Sequence, residues 1–395
     1  MSKKNIFSND NRTVLILTPL FCLVMLAIAV FSLIKPNVDY SAFENRVLSH
    51  VEMPDADGII SGEWFSEFET ANLDQIVGRN FLIEANSRIL KLFGKREINN
   101  GIIVGDGCLL QGDNEITEYD WTQLEQNGTD SDIQDTLATL CRVKDITDDY
   151  GGQLYYLNIY PRASFLWDKY PYPNRELIDY YDKQNSNTLE LFNSYGIATV
   201  DTYPSFVQHF DEYLFFNTDH HYTQKGAYYS YCDLLDEINR RNPHNTQLTI
   251  PKWDDMAYTK VDRTFIGSLI QQIGDTQYEN LDYLEYALPK DYPTDYERYE
   301  FGELSDMPII RDEETTEYGW FMNGDNGNTV IKTHRDALPD ILIIGYSYTD
   351  ALEVCAIYNF DEMHSIDPRR YEGDIYEYIE ENKPDYIVLQ GECSF

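Results

Sequence analysis

Ile341-Leu342-Ile343-Ile344-Gly345-Tyr346-Ser347-Tyr348-Thr349-Asp350 is the stretch on which the fold turns. Four consecutive aliphatics leave no polar face, the pattern of a strand buried on both sides within a parallel sheet. Gly345 ends the run, and Ser347 falls on the turn into a following helix. Working outward, the same alternation recurs. Gln153 to Tyr160, Ile197 to Thr202 and Tyr386 to Leu389 read as further strands. Asp132 to Lys144, Asn174 to Phe192, Gln224 to Ile238 and Tyr371 to Glu381 read as helices. Strands alternating with helices predict an α/β domain over 131–395, a mainly parallel sheet covered on both faces. Residues 245–335 break the alternation. They are acidic, rich in Tyr and loop-like, and read as an insertion.

The remainder is of other kinds. Thr13 to Ile34 is an apolar run with Lys3, Lys4 and Arg12 before it and Lys35-Pro36 after it. About 20 such residues span a bilayer core, so residues 1–35 read as a cytoplasmic tail and one transmembrane helix. A cleavable signal peptide, with Ala27-Ile28-Ala29 imitating the cleavage site, is the competing reading, but the apolar run continues past it. The positive-inside rule places the rest outside the cell membrane. Residues 36–130 read as a stalk with helical stretches near 64–76 and 81–93. A hairpin follows around Asp106-Gly107, then an acidic segment over 112–132. Formal net charge is −38, from 30 basic and 68 acidic side chains. Nucleic acid is thereby excluded as a partner, since phosphate binding requires a basic surface. Cys108, Cys141, Cys232, Cys355 and Cys393 are odd in number outside the anchor, so at least one is a free thiol, and no disulfide framework is expected.

Two places can carry chemistry. Ser347 lies at the carboxyl edge of a parallel sheet, where open α/β folds place their sites. It needs a His base oriented by a carboxylate, and Asp219-His220-His221, just before the helix near Gln224, offers both. Each has an alternative. Ser347 can simply cap its helix. The Asp-His-His group can cap the next helix with solvated imidazoles, or bind a metal if a further ligand joins it.

Asp219-His220-His221-Tyr222, followed by Thr223 and Gly226-Ala227, resembles the signature of the DHHW family, membrane-anchored bacterial proteins related to the SGNH-hydrolase-like alginate O-acetyltransferases. Other segments resemble that family in order: Glu44-Asn45-Arg46, Asp74-Gln75 with Arg79-Asn80-Phe81, Gly101 to Leu110, and Tyr160 to Ser164. Phe265 to Leu269, Ile366 to Arg369, and Pro384 to Glu392 continue the series. The resemblance implies an SGNH-like three-layer α/β/α fold and a Ser347-His221-Asp219 triad for acyl transfer. It implies a glycan acceptor, an acyl donor and a multi-pass membrane acyltransferase as partner, with no metal and no organic cofactor. The substrate side would be formed by Tyr222, Tyr346, Tyr348, Arg162 and Asn158, the last two as oxyanion candidates near one strand end. Two departures stand out. Tyr222 replaces the family's Trp, and Gly345-Tyr346-Ser347 replaces the Gly-Asp-Ser usual in SGNH enzymes. The second keeps open another reading, a catalytically degenerate glycan-binding or scaffold protein on the same fold. The Tyr-rich composition, 32 residues, suits sugar stacking. The strongly acidic ectodomain favours a neutral acceptor over a polyanion.

Overall fold

The structure is a computed structural model describing residues 10–41, 46–50, 53, 56–98, 101–111, 131–160, 162–171, 175–241, 247–274, 281–311, 318–324, 326–391 and 395. Residues 112–130 of the expected acidic segment and Cys393 lie outside these residues. The chain divides into two compact units, residues 1–100 with 270–277, and residues 101–269 with 278–395.

In the first unit the apolar run forms a single helix, Asp10–Ile34. Leu20, Phe21, Leu23, Leu26 and Phe31 on it are exposed. Among the described residues no helix is long and apolar enough to cross a membrane. Helices Glu63–Asp74 and Arg79–Leu92 follow. The Asp74-Gln75 pair at their junction fixes the preceding chain. Gln75 accepts from the Val38 N–H at 3.0 Å and donates to the Val38 and Ser49 carbonyls, while Asp74 accepts from the Ser49 N–H at 2.9 Å.

The second unit is built on an eight-stranded mixed sheet. In chain order its strands are β1 (Gln153–Asn158), β2 (Ala198–Asp201), β3 (Glu297–Glu300) and β4 (Glu303–Ser305). They continue with β5 (Asn328–Lys332), β6 (Ile341–Ile344), β7 (Glu362–Ile366) and β8 (Tyr386–Gln390). Their spatial order is β4-β3-β5-β7-β6-β8-β1-β2. The run β7-β6-β8-β1-β2 is parallel, and β5, β3 and β4 add antiparallel at one edge. The expected mainly parallel sheet is thus a mixed one, its five-strand parallel run extended by three antiparallel strands. The reading of residues 245–335 is corrected, because this segment supplies β3, β4 and β5. It also forms an antiparallel ribbon, Ala257–Phe265 with Asp282–Leu288. The expected boundary at 131 moves too. The hairpin of Ile102–Val104 and Leu109–Gln111 belongs to the α/β unit, where the Leu109 N–H donates to the Asn217 carbonyl at 2.7 Å.

Strand periodicity explains the layers. Successive side chains of a strand point to opposite faces. Ile341 and Ile343 of β6, Tyr155 and Leu157 of β1, and Val388 of β8 face one core, with helix α3 (Gln224–Arg241) and helix α4 (Asp350–Ala356). Leu342 and Ile344, Leu154 and Tyr156, Ile387 and Leu389 face the other. Helix α1 (Ser131–Tyr150), helix α2 (Arg175–Ser194) and helix α5 (Ile375–Asn382) pack there. This is a three-layer α/β/α arrangement. All four side chains of β6 are fully buried, each contributing roughly 1.5–3 kcal/mol of transfer free energy. The turn that follows β6 is thus carried by the most buried strand of the sheet.

Candidate active site

Ser347 sits three residues beyond β6, at the carboxyl edge of the parallel strands, and its side chain is partly exposed. The Asp219-His220-His221 loop reaches it from the segment before α3. Ser347 Oγ lies 2.7 Å from His221 Nε2, and His221 Nδ1 lies 2.5 Å from Asp219 Oδ1. With Nδ1–H donating to the carboxylate, Nε2 is left as the acceptor that faces the serine hydroxyl. Asp219 also accepts from the His221 N–H at 2.9 Å and, through Oδ2, from the Ser268 N–H at 2.7 Å. Burial alone would push its carboxyl up, but His221, His220 and the Ser268 N–H together hold it well below the usual carboxylate range. His220 turns aside, its Nδ1 2.9 Å from Ser268 Oγ. Burial and the neighbouring His221 push its pKa down to about 4, so it is neutral at pH 7.

Several side chains pin this loop. Arg162 lies beneath it and donates to the carbonyls of Asp219 at 2.6 Å, Phe216 at 2.7 Å and Leu109 at 3.4 Å. Asp282, on the ribbon, accepts from the N–H groups of Asn217 and Thr218, the Thr218 hydroxyl and the Tyr213 hydroxyl, all at 2.6–2.7 Å. Gly267 permits a close approach: a Cβ there would meet the Thr218 carbonyl oxygen at 2.2 Å and Asp219 Cβ at 2.6 Å. Tyr318 covers the base, its ring parallel to the His221 imidazole within 4° at a 3.8 Å centroid separation.

Among the residues expected on the substrate side, two are corrected. Tyr222 is fully buried, so no sugar can stack on it. Its hydroxyl donates to the Tyr348 carbonyl and accepts from Gln390 at 3.2 Å, locking the serine turn to the base loop. Arg162 is buried and holds the backbone carbonyls of Asp219 and Phe216, so it positions the loop. Tyr348 is half-buried 4.9 Å from the His221 ring, and its hydroxyl donates to the His220 carbonyl. Tyr346 and Asn158 instead line a neighbouring cavity. Asn158 donates to Asn185 at 3.1 Å and has no bond to the triad among the described residues. Sequence reasoning gave no role to Ser268, Asp282 or Tyr318. The Phe265-to-Leu269 segment was legible only as a family resemblance, and Tyr318 carries no local signal.

Asp219, His220 and His221 present ligand atoms within 4.8 Å of one another. Their donor atoms, however, are directed at each other, at Ser347 and at Ser268. That arrangement fits proton transfer better than a metal centre, which needs further ligands of suitable geometry.

Residues 119–284 match a family model described as SGNH hydrolase-like domain, acetyltransferase AlgX. The match includes Asp219 and His221 and ends before Ser347. No curated protein matches the chain. Among solved structures, Bacillus cereus PatB1 aligns at 19% identity over 73% of this chain and 94% of its own, with a TM-score of 0.59. A DHHW family protein from Eubacterium siraeum aligns at 19% identity over 65% of this chain and 83% of its own, with a TM-score of 0.48. The O-acetyltransferase domain of Pseudomonas putida AlgJ aligns at 15% identity over 73% and 89%, with a TM-score of 0.42. The resemblance read from the motif order is thus shown: by family model over 119–284 the chain is similar to the SGNH hydrolase-like acetyltransferases, and it shares the fold of PatB1.

Proposed function

We propose that this protein is an O-acetyltransferase or acetylesterase acting on an extracytoplasmic glycan through Ser347, His221 and Asp219. The observation that carries the reading is the continuous relay from Ser347 Oγ through the imidazole to a buried carboxylate, at 2.7 and 2.5 Å. The Ser347 oxygen attacks the acyl carbonyl while His221 Nε2 takes the hydroxyl proton. The imidazolium, stabilised by Asp219, returns that proton to the departing donor oxygen, leaving an ester on Ser347. A sugar hydroxyl, deprotonated by His221, then attacks the ester; the acyl group moves to the sugar and Ser347 is reprotonated. Water in place of the sugar gives an esterase by the same steps. The acid missing before Ser347 does not interrupt this relay, because Tyr346 points its ring at Arg369, 4.5 Å from the guanidinium, and neither proton transfer passes through it.

The reading extends to location and partners. The apolar helix with its exposed Leu and Phe side chains and its Lys and Arg flanks supports a membrane anchor with the catalytic unit outside. An acetyl donor for such a site must cross the membrane, which calls for a multi-pass acyltransferase partner.

The test is acetyl-ester turnover by the purified protein. Ser347→Ala and His221→Ala are expected to lower kcat by about 10³-fold or more, and Asp219→Asn by about 10²–10⁴-fold, each with the fold retained by circular dichroism. Turnover that survives Ser347→Ala would sink the triad. Turnover abolished by a chelator would transfer the chemistry to a metal on Asp219, His220 and His221. Absence of turnover in every form, with saccharide binding retained, would establish the degenerate glycan-binding reading.

A further inference from the structure

Next to the serine turn, on the α1–α2 side of the sheet, lies a cavity of about 660 Å³. None of Ser347, His221 and Asp219 lines it, yet Tyr346, the residue before the nucleophile, does. Its volume falls within the range of small-molecule sites, which combine apolar faces with a few placed polar groups. We infer that this cavity is the acceptor subsite, built for an uncharged saccharide unit whose neighbouring hydroxyl is presented to Ser347. The inference rests on the acyl-transfer reading for its role, and on the cavity's own chemistry for its ligand.

Three observations carry it. The first is the wall. Tyr346 and Tyr181 are both half-buried and line the cavity, offering aromatic surface with a polar tip. The second is the polar set. Tyr156, Asn158 and Asn185 form a chain at the cavity's inner end: the Tyr156 hydroxyl lies 3.5 Å from Asn158 Oδ1, Asn158 Nδ2 donates to Asn185 Oδ1 at 3.1 Å, and Asn185 Nδ2 donates to the Tyr181 carbonyl at 2.8 Å. Amides and hydroxyls both donate and accept, as sugar hydroxyls require. The third is charge. Asp132 and Asp135 are exposed on the rim, and among the described residues no Lys or Arg lines the cavity. Arg369, over the Tyr346 ring, is held by Asp367 at 2.7 Å. A uronate or a phosphate-bearing sugar would meet two like charges and no counter-charge, whereas a neutral sugar meets only polar and aromatic groups.

The experiment measures binding directly, on the full chain carrying Ser347→Ala so that nothing turns over. Calorimetry is run with a neutral β-1,4-glucan hexasaccharide and with a β-1,4-linked hexauronate of equal length, at 0.15 M salt. The neutral chain is expected to bind, and the hexauronate to bind at least about fivefold more weakly. Adding Tyr181→Ala should weaken neutral binding about tenfold. Adding Asp135→Asn should narrow the gap between the two saccharides. Circular dichroism melting verifies that each variant is folded. Equal or tighter hexauronate binding, no binding of the neutral chain, or unaltered binding with Tyr181→Ala would overturn the assignment. The two readings fail separately. Ester turnover lost in Ser347→Ala without saccharide binding removes the subsite and keeps the triad. Saccharide binding that responds to Tyr181→Ala, without ester turnover in the native chain, keeps the subsite and removes the catalysis.

Discussion

His220 illustrates how closely two adjacent imidazoles can differ. His221 is buried and joins Ser347 to Asp219, while His220 stands one-third exposed beside it and bonds Ser268. Its pKa is pushed down to about 4 by burial and by His221, against about 6.5 in an unfolded chain. Between those values the unfolded state binds a proton that the folded state does not, so stability falls as pH drops from about 6.5 to about 4. Solvent screening at a one-third exposed ring keeps the effect modest. The expected outcome is a fall in melting temperature over that window that is shallower in His220→Gln than in the native chain. Identical slopes would show that His220 takes no part in the acid sensitivity. The same pair marks the limit of sequence reading at this scale. Residue type and spacing put forward Ser347 and the Asp219-His220-His221 group, the family resemblance chose His221 over His220, and the structure brings Ser347, His221 and Asp219 within hydrogen-bond reach. Tyr222 and Arg162 were named too, as substrate contacts, and are buried supports. A residue's neighbours in sequence disclose its chemistry but not whether water or a ligand can reach it.

At the scale of elements, the site depends on a segment that sequence periodicity could not place. Strands β1, β2, β6 and β8 were legible because near-continuous apolar runs have no other home than a doubly covered sheet. Strand β7, Glu362-Met363-His364-Ser365-Ile366, was not, since His364 and Ser365 interrupt its apolar character. Strands β3 and β5 were hidden for a related reason: their charged and polar residues find partners only in the folded sheet, as when buried Arg298 meets Glu300 at 2.8 Å. The ribbon of 257–265 and 282–288 reads as acidic loop in sequence, yet it delivers Asp282 to the base loop. The segment just after its first strand delivers Gly267 and Ser268. That connection makes a prediction. Gly267→Ala would drive a methyl group into the Thr218 carbonyl, displacing the loop that orients Asp219. The expected result is a loss of roughly 1–3 kcal/mol in stability and a fall in ester turnover out of proportion to it. A Gly267→Ala protein with native turnover would show that the close approach is dispensable.

Across the whole molecule, charge divides along the chain. Residues 1–35 hold four basic side chains and one acidic, leaving 26 basic and 67 acidic in residues 36–395, or −41. A domain so acidic is repelled by anionic lipid headgroups, so the proposed membrane attachment rests on the apolar helix. Full-length protein is therefore expected in the membrane fraction, resistant to high salt and released by detergent. A chain starting at residue 36 is expected in the soluble fraction. Release of the full-length chain by salt alone would contradict the anchor. One feature of the site also gives a means of watching it within a 46.1 kDa chain that contains seven histidines. The Tyr318 ring lies flat on the His221 imidazole at 3.8 Å, so the carbon-bound protons of that imidazole sit in the shielding cone of the phenol. Their NMR resonances are displaced upfield from those of imidazoles in open solvent, which makes the base that faces Ser347 identifiable by its own magnetic environment and lets its protonation be followed without any substrate.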